Sequence, residues 1–597
     1  MYEIDSNDKA SVNRPWLNYY PEAVRDFTAP HTTLSEFLKK NNRQHDKIVV
    51  DYYGCTLSLN DIFKKTDATA KSLKAIGVKE GDCISVFLQA VPEFLFVLLA
   101  AEKIGAVLLC RDGTPKECDE AIKSAKGSVA FAQDYLSKEE EEIYYANTEL
   151  KHIILVSPYT YTDKSQIPDY VINSIESRYP NQPACNPNNI RWNEFLALGE
   201  NYSGSYEAAK DPDRPLYRTY TSGSTGPSKQ LIHSAATILG IIAQMMVLTP
   251  PMDFTFRSLH TILPPALIAV VGPLMLYRIA TNAILILDPF CDIQDLDLEF
   301  MRYKPNAWSA IPQLAEVLLK SKRIPKDFPM DYVYQIGGGA DPMNNKQLRN
   351  IQQFLKDHGC QATFTMCYGQ SEAGSVITCA FPGSRFENCA SGIPLIGTTI
   401  GIFENGTHKE LNYGEIGEIC KYGPGNMIGY DDPVSTTETL QMHEDGKIWL
   451  HTGDFGYLTE NGVLYPMSRG LNKRFGGGYL FHIEMENRVV DIPGVDDGFF
   501  VIVPDREHEG YFVPYLFLIP KEGITLKDVE PMIYHELEPY QYPVRIILIQ
   551  KRSYFHFKTN RRELAKKIME VYDNKNLVHN LLYNKRRLTK MNIRFHS

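Results

Sequence analysis

The sequence lacks the marks of secreted, membrane-spanning and disulfide-rich proteins. Its 11 cysteines are scattered singly, without a CxxC pair or a Cys/His cluster at zinc spacing, so neither a disulfide framework nor a structural metal is indicated. Two apolar stretches, 94–101 and 262–277, fall short of the roughly 20 residues of a membrane span and are typical of buried core elements. The first residues contain acidic side chains and no apolar signal-peptide core. We therefore expect a cytoplasmic protein with at most peripheral membrane contact.

The sequence also has fewer basic than acidic residues. The chain has 62 Lys and Arg against 72 Asp and Glu, a net charge of -10, which repels a phosphate backbone unless the basic residues cluster on one face. Nucleic acid is therefore not an expected partner. With 597 residues, 44% of them hydrophobic and 22% charged, the chain has the composition of an ordinary folded protein with room for several domains.

Hydrophobic patterning predicts an α/β protein. Up to about residue 369, apolar runs of strand length alternate with longer amphipathic stretches, which favours two lobes of parallel-type sheet covered by helices. The polar stretch 139–145 is typical of a surface excursion, and 392–465, rich in Gly, Asp and short β-branched runs, predicts a small antiparallel β unit. We expect a large N-terminal domain over 1–468, a small α+β domain over 469–565 and a basic C-terminal extension over 566–597.

The segment 220–229, YTSGSTGPSK, is the most informative stretch of the chain. Two glycines and five hydroxyl residues precede Lys229, and such a turn can direct backbone N–H groups and hydroxyls at phosphate oxygens. It is not a Walker A loop, because Ser228 stands where the second glycine belongs and Gln230 follows the lysine. Taken alone, the segment is also compatible with a flexible Ser/Gly linker.

Together with other motifs, this segment resembles the signature phosphate loop of the adenylate-forming ANL superfamily. The companion motifs occur in the family's order and extend the resemblance over residues 34–564. They are Gly337–Ala340, Tyr368-Gly-Gln-Ser-Glu372, Gly414-Glu-Ile-Gly-Glu418, Gly423–Tyr430, His451-Thr-Gly-Asp-Phe-Gly456, Arg469 and Lys558-Thr-Asn-Arg-Arg-Glu-Leu564.

The resemblance implies a reaction and a set of nucleotide contacts. It implies ATP-dependent activation of a carboxylic acid to acyl-AMP with release of pyrophosphate, then transfer to a thiol, with ATP, Mg²⁺ and CoA as the small molecules used. Glu372 would bind Mg²⁺ through a carboxylate oxygen, Tyr368 would stack on adenine, and Asp454 would accept both ribose hydroxyls. The implied nucleotide-binding residues are Thr221, Ser222, Gly223, Ser224, Thr225, Gly226, Lys229, Gly338, Gly339, Ala340, Tyr368, Gly369, Gln370, Ser371, Asp454 and Arg469.

Each of these residues also has an ordinary structural interpretation. Glu372 could be a solvated surface glutamate, Tyr368 a core aromatic and Asp454 a turn aspartate beside a glycine. His233 matches a histidine of some acyl-CoA synthetases, but a hydrogen-bonded structural histidine is an equal alternative.

Lys558 is the residue that the resemblance places in catalysis. A carboxylate attacking the α-phosphate joins two anions, and a lysine ammonium at the forming bond would lower that barrier. In the family, the small C-terminal domain is mobile and presents a second face for the thiol step. Here that face corresponds to the glycine loop Gly476, Gly477 and Gly478, and the hinge to Gly470 or Leu471.

Several positions depart from the family pattern. Phe557 replaces the glycine before the catalytic lysine, and Leu471 and Phe475 stand where the family has a polar hinge residue and a lysine. These departures keep open the hypothesis of a degenerate nucleotide-binding protein. Four residues retained together argue against it: Glu372, Asp454, Arg469 and Lys558.

The acid that is activated is expected to be apolar. The segment 263–271, LPPALIAVV, resembles the acyl-pocket helix and has no aspartate for a substrate ammonium, which would be costly to bury unpaired. We expect His233, Leu267 and Gly338 to line the pocket, and a fatty or aryl acid as substrate, with a role in fatty acid metabolism. A separate carrier protein remains an alternative to CoA as the thiol acceptor.

Overall fold

A computed structural model describes residues 9–42, 44–221, 228–249, 252–380, 390–555 and 558–573. The chain divides into two compact units. The first comprises Met1–Pro342 and Gln347–Pro466, and the second comprises Met343–Lys346 and Met467–Ser597. The predicted domain boundaries remain predictions, and most of the expected basic extension lies outside the described residues. No helix among the described residues is long and apolar enough to cross a membrane.

The first unit contains most of the regular structure. Its strands are β1 (Ile48–Tyr52), β2 (Cys55–Ser58), β3 (Cys83–Phe87), β4 (Val107–Cys110), β5 (Val129–Gln133), β6 (His152–Val156), β7 (Asn189–Arg191), β8 (Pro215–Tyr220), β9 (Gln230–Ser234), β10 (Arg257–Thr261), β11 (Ile284–Asp288), β12 (Ala307–Ser309), β13 (Gln335–Gly338), β14 (Thr365–Tyr368), β15 (Thr378–Cys379), β16 (Ile393–Pro394), β17 (Thr399–Phe403), β18 (Gly417–Tyr422), β19 (Gly429–Tyr430), β20 (Leu440–Met442), β21 (Ile448–Leu458) and β22 (Leu464–Arg469).

Helices connect these strands and cover the sheets. They are α1 (Ala10–Asn13), α2 (Leu34–Asn41), α3 (Leu59–Ala75), α4 (Pro92–Ile104), α5 (Pro115–Ala125), α6 (Lys138–Tyr145), α7 (Asp169–Glu176), α8 (Trp192–Glu200), α9 (Ala235–Val247), α10 (Tyr277–Ala280), α11 (Leu296–Tyr303), α12 (Pro312–Lys320), α13 (Asn345–Asp357) and α14 (Pro433–Thr439).

Two large sheets confirm the predicted α/β class. One has the order β16-β15-β14-β13-β12-β10-β11-β1-β2, and the other has the order β19-β9-β8-β4-β3-β5-β6-β7. Their central strands pair in parallel, while the edge pair β1–β2 and two pairs close to an edge, β14–β15 and β8–β9, are antiparallel. Parallel strands need crossover connections, which explains the alternation of strands with helices along the sequence.

The apolar stretch 94–101 lies inside helix α4, as the sequence predicted. Its side chains are at most 1% exposed, so the helix is apolar on all sides because protein surrounds it. Gly105 ends the helix in the left-handed conformation with φ +75°.

The polar stretch 139–145 differs from the irregular surface excursion that we expected. It forms helix α6, in which the Ser137 side chain accepts from the Glu140 N–H and the Glu140 carboxylate accepts from the Ser137 N–H. Tyr144 packs into a core beside β5 and β6. This capping box explains how a run of four glutamates begins a stable helix.

The β-rich part of the first unit confirms the antiparallel prediction for 392–465. Strands β17, β18, β21 and β20 pair in that order and β22 pairs with β21. A bulge between Glu418 and Cys420 interrupts the pairing of β18 with β21. This sheet supplies the motifs around Glu418 and Asp454.

The second unit is a small α+β assembly. Its sheet has the order β23 (Val495–Pro504), β24 (Phe512–Pro520) and β25 (Arg545–Leu548), and helices α15 (His482–Val490), α16 (Leu526–Glu536) and α17 (Arg561–Asp573) accompany it. A separate hairpin, β26 (Tyr554–Phe555) and β27 (Lys558–Thr559), contains the predicted catalytic lysine.

Arg552 anchors this hairpin to the sheet. Its guanidinium, 3% exposed, donates to both oxygens of Asp497 at 2.7 and 3.0 Å and to the Thr559 hydroxyl at 3.3 Å. Because Thr559 follows Lys558, the ion pair fixes the backbone beside the lysine.

We predict that Asp497→Asn destabilises the second unit by up to about 3 kcal/mol, because it leaves the Arg552 charge buried without a carboxylate. Hydrogen exchange at β26 and β27 should show faster opening of the hairpin. The matched control is Asp496→Asn, whose side chain is exposed. Equal protection in the two variants would contradict the anchoring role of Arg552.

Candidate active site

The described base of the phosphate-loop segment is a β-hairpin. Strands β8 and β9 pair up to Tyr220 and Gln230. Beyond them, the Thr221 N–H donates to the Lys229 carbonyl at 2.8 Å, and the Lys229 N–H donates to the Thr221 hydroxyl at 2.9 Å. The predicted contacts Ser222, Gly223, Ser224, Thr225 and Gly226 lie outside the described residues. Thr221 and Lys229 therefore face each other across the neck of the loop.

Tyr430 connects the phosphate loop to the predicted metal ligand. Strand β19 pairs with β9 on the other side from β8, which places Tyr430 opposite Leu231. The Lys229 ammonium lies 5.1 Å from the centre of the Tyr430 ring, and the Tyr430 hydroxyl donates to Glu372 Oε1 at 2.7 Å. Lys229 and Glu372, which are 143 positions apart in the sequence, are thus joined through one aromatic side chain.

Glu372 is not a solvated surface glutamate. It lies on a short 3₁₀ turn, Ser371–Ala373, and is 6% exposed. The Met427 N–H donates to its carbonyl at 2.8 Å. Gly374 follows with φ +73°, and a Cβ at that position would lie 2.7 Å from the Gly425 carbonyl oxygen. The turn therefore requires glycine and fixes the direction of the carboxylate.

The two residues predicted to hold the nucleoside are in contact. The Tyr368 hydroxyl, at the end of β14, donates to Asp454 Oδ2 at 2.9 Å. The Asp454 N–H in turn donates to the Thr452 hydroxyl at 3.1 Å, and that hydroxyl donates to the Ile419 carbonyl at 2.6 Å. This chain of hydrogen bonds holds the carboxylate in one orientation beside the aromatic ring.

Gly338, Gly339 and Ala340 form a turn in which the backbones come unusually close. A Cβ on Gly338 would lie 2.1 Å from the Ala310 carbonyl oxygen, and one on Gly339 would lie 2.9 Å from that of Cys367. Ala340 has φ +69°, a conformation that residues with a Cβ seldom adopt. Strain of this kind is concentrated at functional sites in proteins, and the turn follows directly on β13.

His233 is fully buried and hydrogen-bonded on both ring nitrogens. Its Nε2 donates to the Ser371 carbonyl at 2.9 Å, and Nδ1 lies 3.2 Å from the Thr237 hydroxyl. Burial lowers the pKa of His233 from 6.5 to about 4, so the ring is neutral at pH 7. These contacts support the structural interpretation of His233, because the ring positions the turn that carries Glu372.

The segment 263–271 differs from the helix that we expected there. It begins with turns, and the helical residues start at 268 and continue as a π-helix over Val270–Leu276. The side chains of Tyr217 and Thr219 on β8 donate hydrogen bonds to the carbonyls of Pro265 and Ala266. Leu267, predicted to line the acyl pocket, is 37% exposed. The carbonyls of Pro265 and Ala266 are therefore bound by β8, and the helix begins beyond them.

Other predicted residues belong to the second unit. Gly470 has φ +82° and its carbonyl accepts from the Ser468 hydroxyl at 2.8 Å, and Arg469 and Leu471 flank it. The loop Gly476, Gly477 and Gly478 forms a tight turn between Lys473 and Tyr479. Its Gly477 packs against Tyr540, where a Cβ would lie 2.4 Å away. The thiol-step and hinge roles of these residues stay predictions.

The sequence pattern placed Tyr430 in a motif but indicated no role for that residue. It also gave none to Lys421, whose buried ammonium donates to the Pro424 carbonyl at 2.5 Å and to Asn426 Oδ1 at 2.7 Å. Burial lowers the pKa of Lys421 to about 7. A lysine within an otherwise apolar strand, ICKY, was the available signal for this buried role.

Comparison with known proteins decides the family. The model of the family described as AMP-binding enzyme matches residues 37–431. The chain belongs to the AMP-binding enzyme family. The resemblance of its motifs to the adenylate-forming superfamily is thereby confirmed.

Relatives of this AMP-binding enzyme include plant ligases. It is 25% identical over 495 residues to a 4-coumarate–CoA ligase of Vanilla planifolia, covering 80% of this chain and 82% of the relative. It is 23% identical over 520 residues to 4-coumarate-CoA ligase 2 of Narcissus pseudonarcissus, covering 83% and 84%.

Solved structures share the fold. ATP-bound MatB from Rhodopseudomonas palustris aligns with a TM-score of 0.75 at 20% identity, over 91% of this chain and 100% of that one. The o-succinylbenzoate CoA synthetase MenE from Bacillus subtilis, in complex with ATP and magnesium, aligns with a TM-score of 0.68 at 18% identity, over 90% and 100%.

We predict that this AMP-binding enzyme loses stability between pH 6.5 and 4 partly through His233. The unfolded chain takes up a proton below pH 6.5, whereas the buried ring stays neutral until about pH 4, so stability falls as the pH drops through this window. In His233→Gln, the free energy of unfolding should fall by about 3 kcal/mol less between pH 6.5 and 4 than it does in the wild type. His31→Gln, on an exposed side chain, is the control. An equal fall of the free energy of unfolding with pH in both variants would contradict this contribution of His233.

Proposed function

We propose that the protein activates an apolar carboxylic acid with ATP, forming acyl-AMP and pyrophosphate, and then transfers the acyl group to the thiol of CoA. In the first step a carboxylate oxygen bonds to the α-phosphorus and pyrophosphate leaves. In the second step the thiol sulfur bonds to the acyl carbon and AMP leaves. The enzyme is therefore an AMP-forming acid–thiol ligase.

The observation that carries the proposal is the contact set around Glu372. Tyr430 links the Glu372 carboxylate to Lys229 at the neck of the phosphate loop, and His233 binds the carbonyl of the preceding residue. A buried carboxylate next to a lysine and a glycine-rich loop suits a polyphosphate with its metal ion. The arrangement argues against a nucleotide-binding protein that has lost catalysis, because burying the Glu372 carboxylate costs stability and would then serve no function.

The residues present fit magnesium as the metal. Mg²⁺ is commonly held by one or two protein carboxylates together with substrate phosphates and water, and Glu372 supplies such a carboxylate. When bound, the ion neutralises phosphate charge that would repel the attacking carboxylate. Tyr430 orients Glu372 for this task through its hydroxyl, and Lys229 adds a fixed positive charge near the same phosphates.

The adenosine contacts are assigned to Tyr368 and Asp454. Asp454 is oriented by the Tyr368 hydroxyl and by its own N–H bond to Thr452, so its carboxylate can accept ribose hydroxyls without first reorganising. The nearby glycines Gly338 and Gly339 let this backbone pack closely against the carbonyls of Ala310 and Cys367, since neither residue presents a Cβ.

For the acid, we favour an aromatic carboxylate. The 263–271 segment contributes apolar side chains and no charged group, which excludes a substrate ammonium. The relatives in the plant comparisons are named for 4-coumarate, an aromatic acid. They give no support to the expected role in fatty acid metabolism.

The test is product analysis with a panel of aryl and fatty acids. Each acid is incubated with the protein, ATP, Mg²⁺ and CoA, and AMP and acyl-CoA are measured by mass spectrometry. We expect stoichiometric AMP and thioester with at least one aryl acid. Adenylate that persists with CoA but discharges to a holo-carrier protein would assign the carrier alternative.

We predict that Glu372→Gln lowers the rate of adenylate formation and raises the Mg²⁺ concentration needed for half-maximal rate by roughly tenfold or more, because the amide is a weaker ligand for a hard cation. The Tyr430 hydroxyl can still donate to the amide oxygen, so the fold is retained. Glu438→Gln, on an exposed side chain of the same unit, is the matched control. A wild-type magnesium titration in Glu372→Gln would remove Glu372 from the metal site.

We predict that Lys558→Ala reduces adenylate formation by about 10²–10³-fold while ATP affinity changes only a few-fold, since the ammonium acts on the charge that develops in the transition state. Pyrophosphate exchange and equilibrium ATP binding measure the two quantities. Lys551→Ala, exposed in the same unit, should behave like the wild type. Exchange at the wild-type rate in Lys558→Ala would refute the catalytic role.

A further inference from the structure

A histidine cluster lies on the β-rich sheet, outside the residues assigned to the nucleotide. His408 follows β17 in a turn, His443 follows β20, and His451 lies on β21. One ring nitrogen from each lies within 4.8 Å of one from each of the others. Three sequence segments therefore bring three potential metal ligands to one point.

The tautomer of His451 is set by Glu418. Glu418 Oε2 lies 2.9 Å from His451 Nδ1, and since an ionised carboxylate only accepts, Nδ1 carries the hydrogen. The lone pair is then on Nε2, which lies 2.9 Å from Nε2 of His443. A carboxylate that holds the far nitrogen of a histidine is the usual arrangement around protein metal ligands.

His408 completes the cluster from the solvent side. Its ring stacks on that of His443 with centroids 4.0 Å apart, and its Nε2 donates to Gln441 Oε1 at 2.9 Å. The lone pair of His408 is therefore on Nδ1. His443 is buried and His408 is exposed, so a bound ion would keep access to water on one side.

We propose that His408, His443 and His451 form a binding site for a divalent transition-metal ion of the Zn²⁺ type, with Glu418 as a positioning residue. Three imidazoles and one open position are a ligand set that zinc accepts and that magnesium disfavours. Two nitrogens bound to a tetrahedral zinc at about 2.0–2.1 Å lie roughly 3.3 Å apart, so His443 and His451 must separate by only a few tenths of an ångström, with the His443 hydrogen on Nδ1. Because an ion lies in the plane of each imidazole that binds it, the exposed His408 ring must also turn out of its stack on His443.

The site is connected to the backbone beside Asp454. Glu418 uses its other oxygen, Oε1, to accept from the Gly453 N–H at 3.0 Å. One carboxylate thus holds both the His451 ring and the residue before Asp454. An ion at the cluster would tie strands β20 and β21 and the turn after β17 to the segment that presents Asp454.

The test is metal binding to the full-length protein without a histidine tag. After removal of metal with a chelator, Zn²⁺ is titrated in competition with a chromophoric indicator, and Co²⁺ is added in a parallel experiment for its visible absorption. We expect one ion per chain, an absorption typical of four-coordinate Co²⁺, and no displacement by millimolar Mg²⁺. The assay needs neither ATP nor an acid, so its outcome is independent of the proposed reaction.

Variants assign the ligands. His408→Ala and His443→Gln should each weaken Zn²⁺ binding at least tenfold, whereas His535→Ala, on a side chain that is 85% exposed in the second unit, should leave it unchanged. His408 is exposed, so its variant remains informative if His443→Gln fails to fold. Absence of stoichiometric binding, or affinity unchanged in His408→Ala, would overturn the proposal and leave the cluster as stacked, hydrogen-bonded histidines.

Discussion

The hydrogen bond from the Tyr430 hydroxyl to the Glu372 carboxylate is the contact on which the candidate site depends. It requires β19 to pair with β9, because only that pairing brings Tyr430 beside the phosphate-loop hairpin. It also requires the tight turn at Gly374, since a side chain there would collide with the backbone at Gly425. A buried carboxylate without such partners would be costly, so the fold around Glu372 and its proposed role in binding a metal–phosphate group are coupled.

Much of the architecture was accessible from local sequence signals. Alternating apolar runs and amphipathic stretches indicated the parallel sheets, because a buried parallel strand and its crossover helix each leave a distinct periodicity. The apolar stretch 94–101, too short for a membrane span, was correctly interpreted as a buried core element, and it forms part of helix α4. The motif residues Tyr368 and Asp454, 86 positions apart, were each predicted to contact the nucleoside; the structure shows them hydrogen-bonded to each other, and their nucleotide roles stay predictions.

Other features depend on contacts that no local pattern reports. The polar run 139–145 looked like an excursion, yet the capping box of Ser137 with Glu140 makes it a helix. The segment 263–271, predicted to be a helix, starts with turns whose carbonyls accept hydrogen bonds from Tyr217 and Thr219. The histidine cluster was invisible to a search for zinc spacing, since β-sheet pairing brings together residues from three separate turns and strands.

The central claim is that a substrate carboxylate attacks the α-phosphorus of ATP, and an isotope experiment tests it directly. The accepted acid, labelled with ¹⁸O in both carboxylate oxygens, is converted with ATP and CoA, and the AMP is examined by mass spectrometry. One carboxylate oxygen bridges carbon and phosphorus in acyl-AMP and stays with phosphorus when the thiol attacks the acyl carbon. The account predicts one ¹⁸O per AMP. Unlabelled AMP, or formation of ADP and phosphate instead, would contradict it.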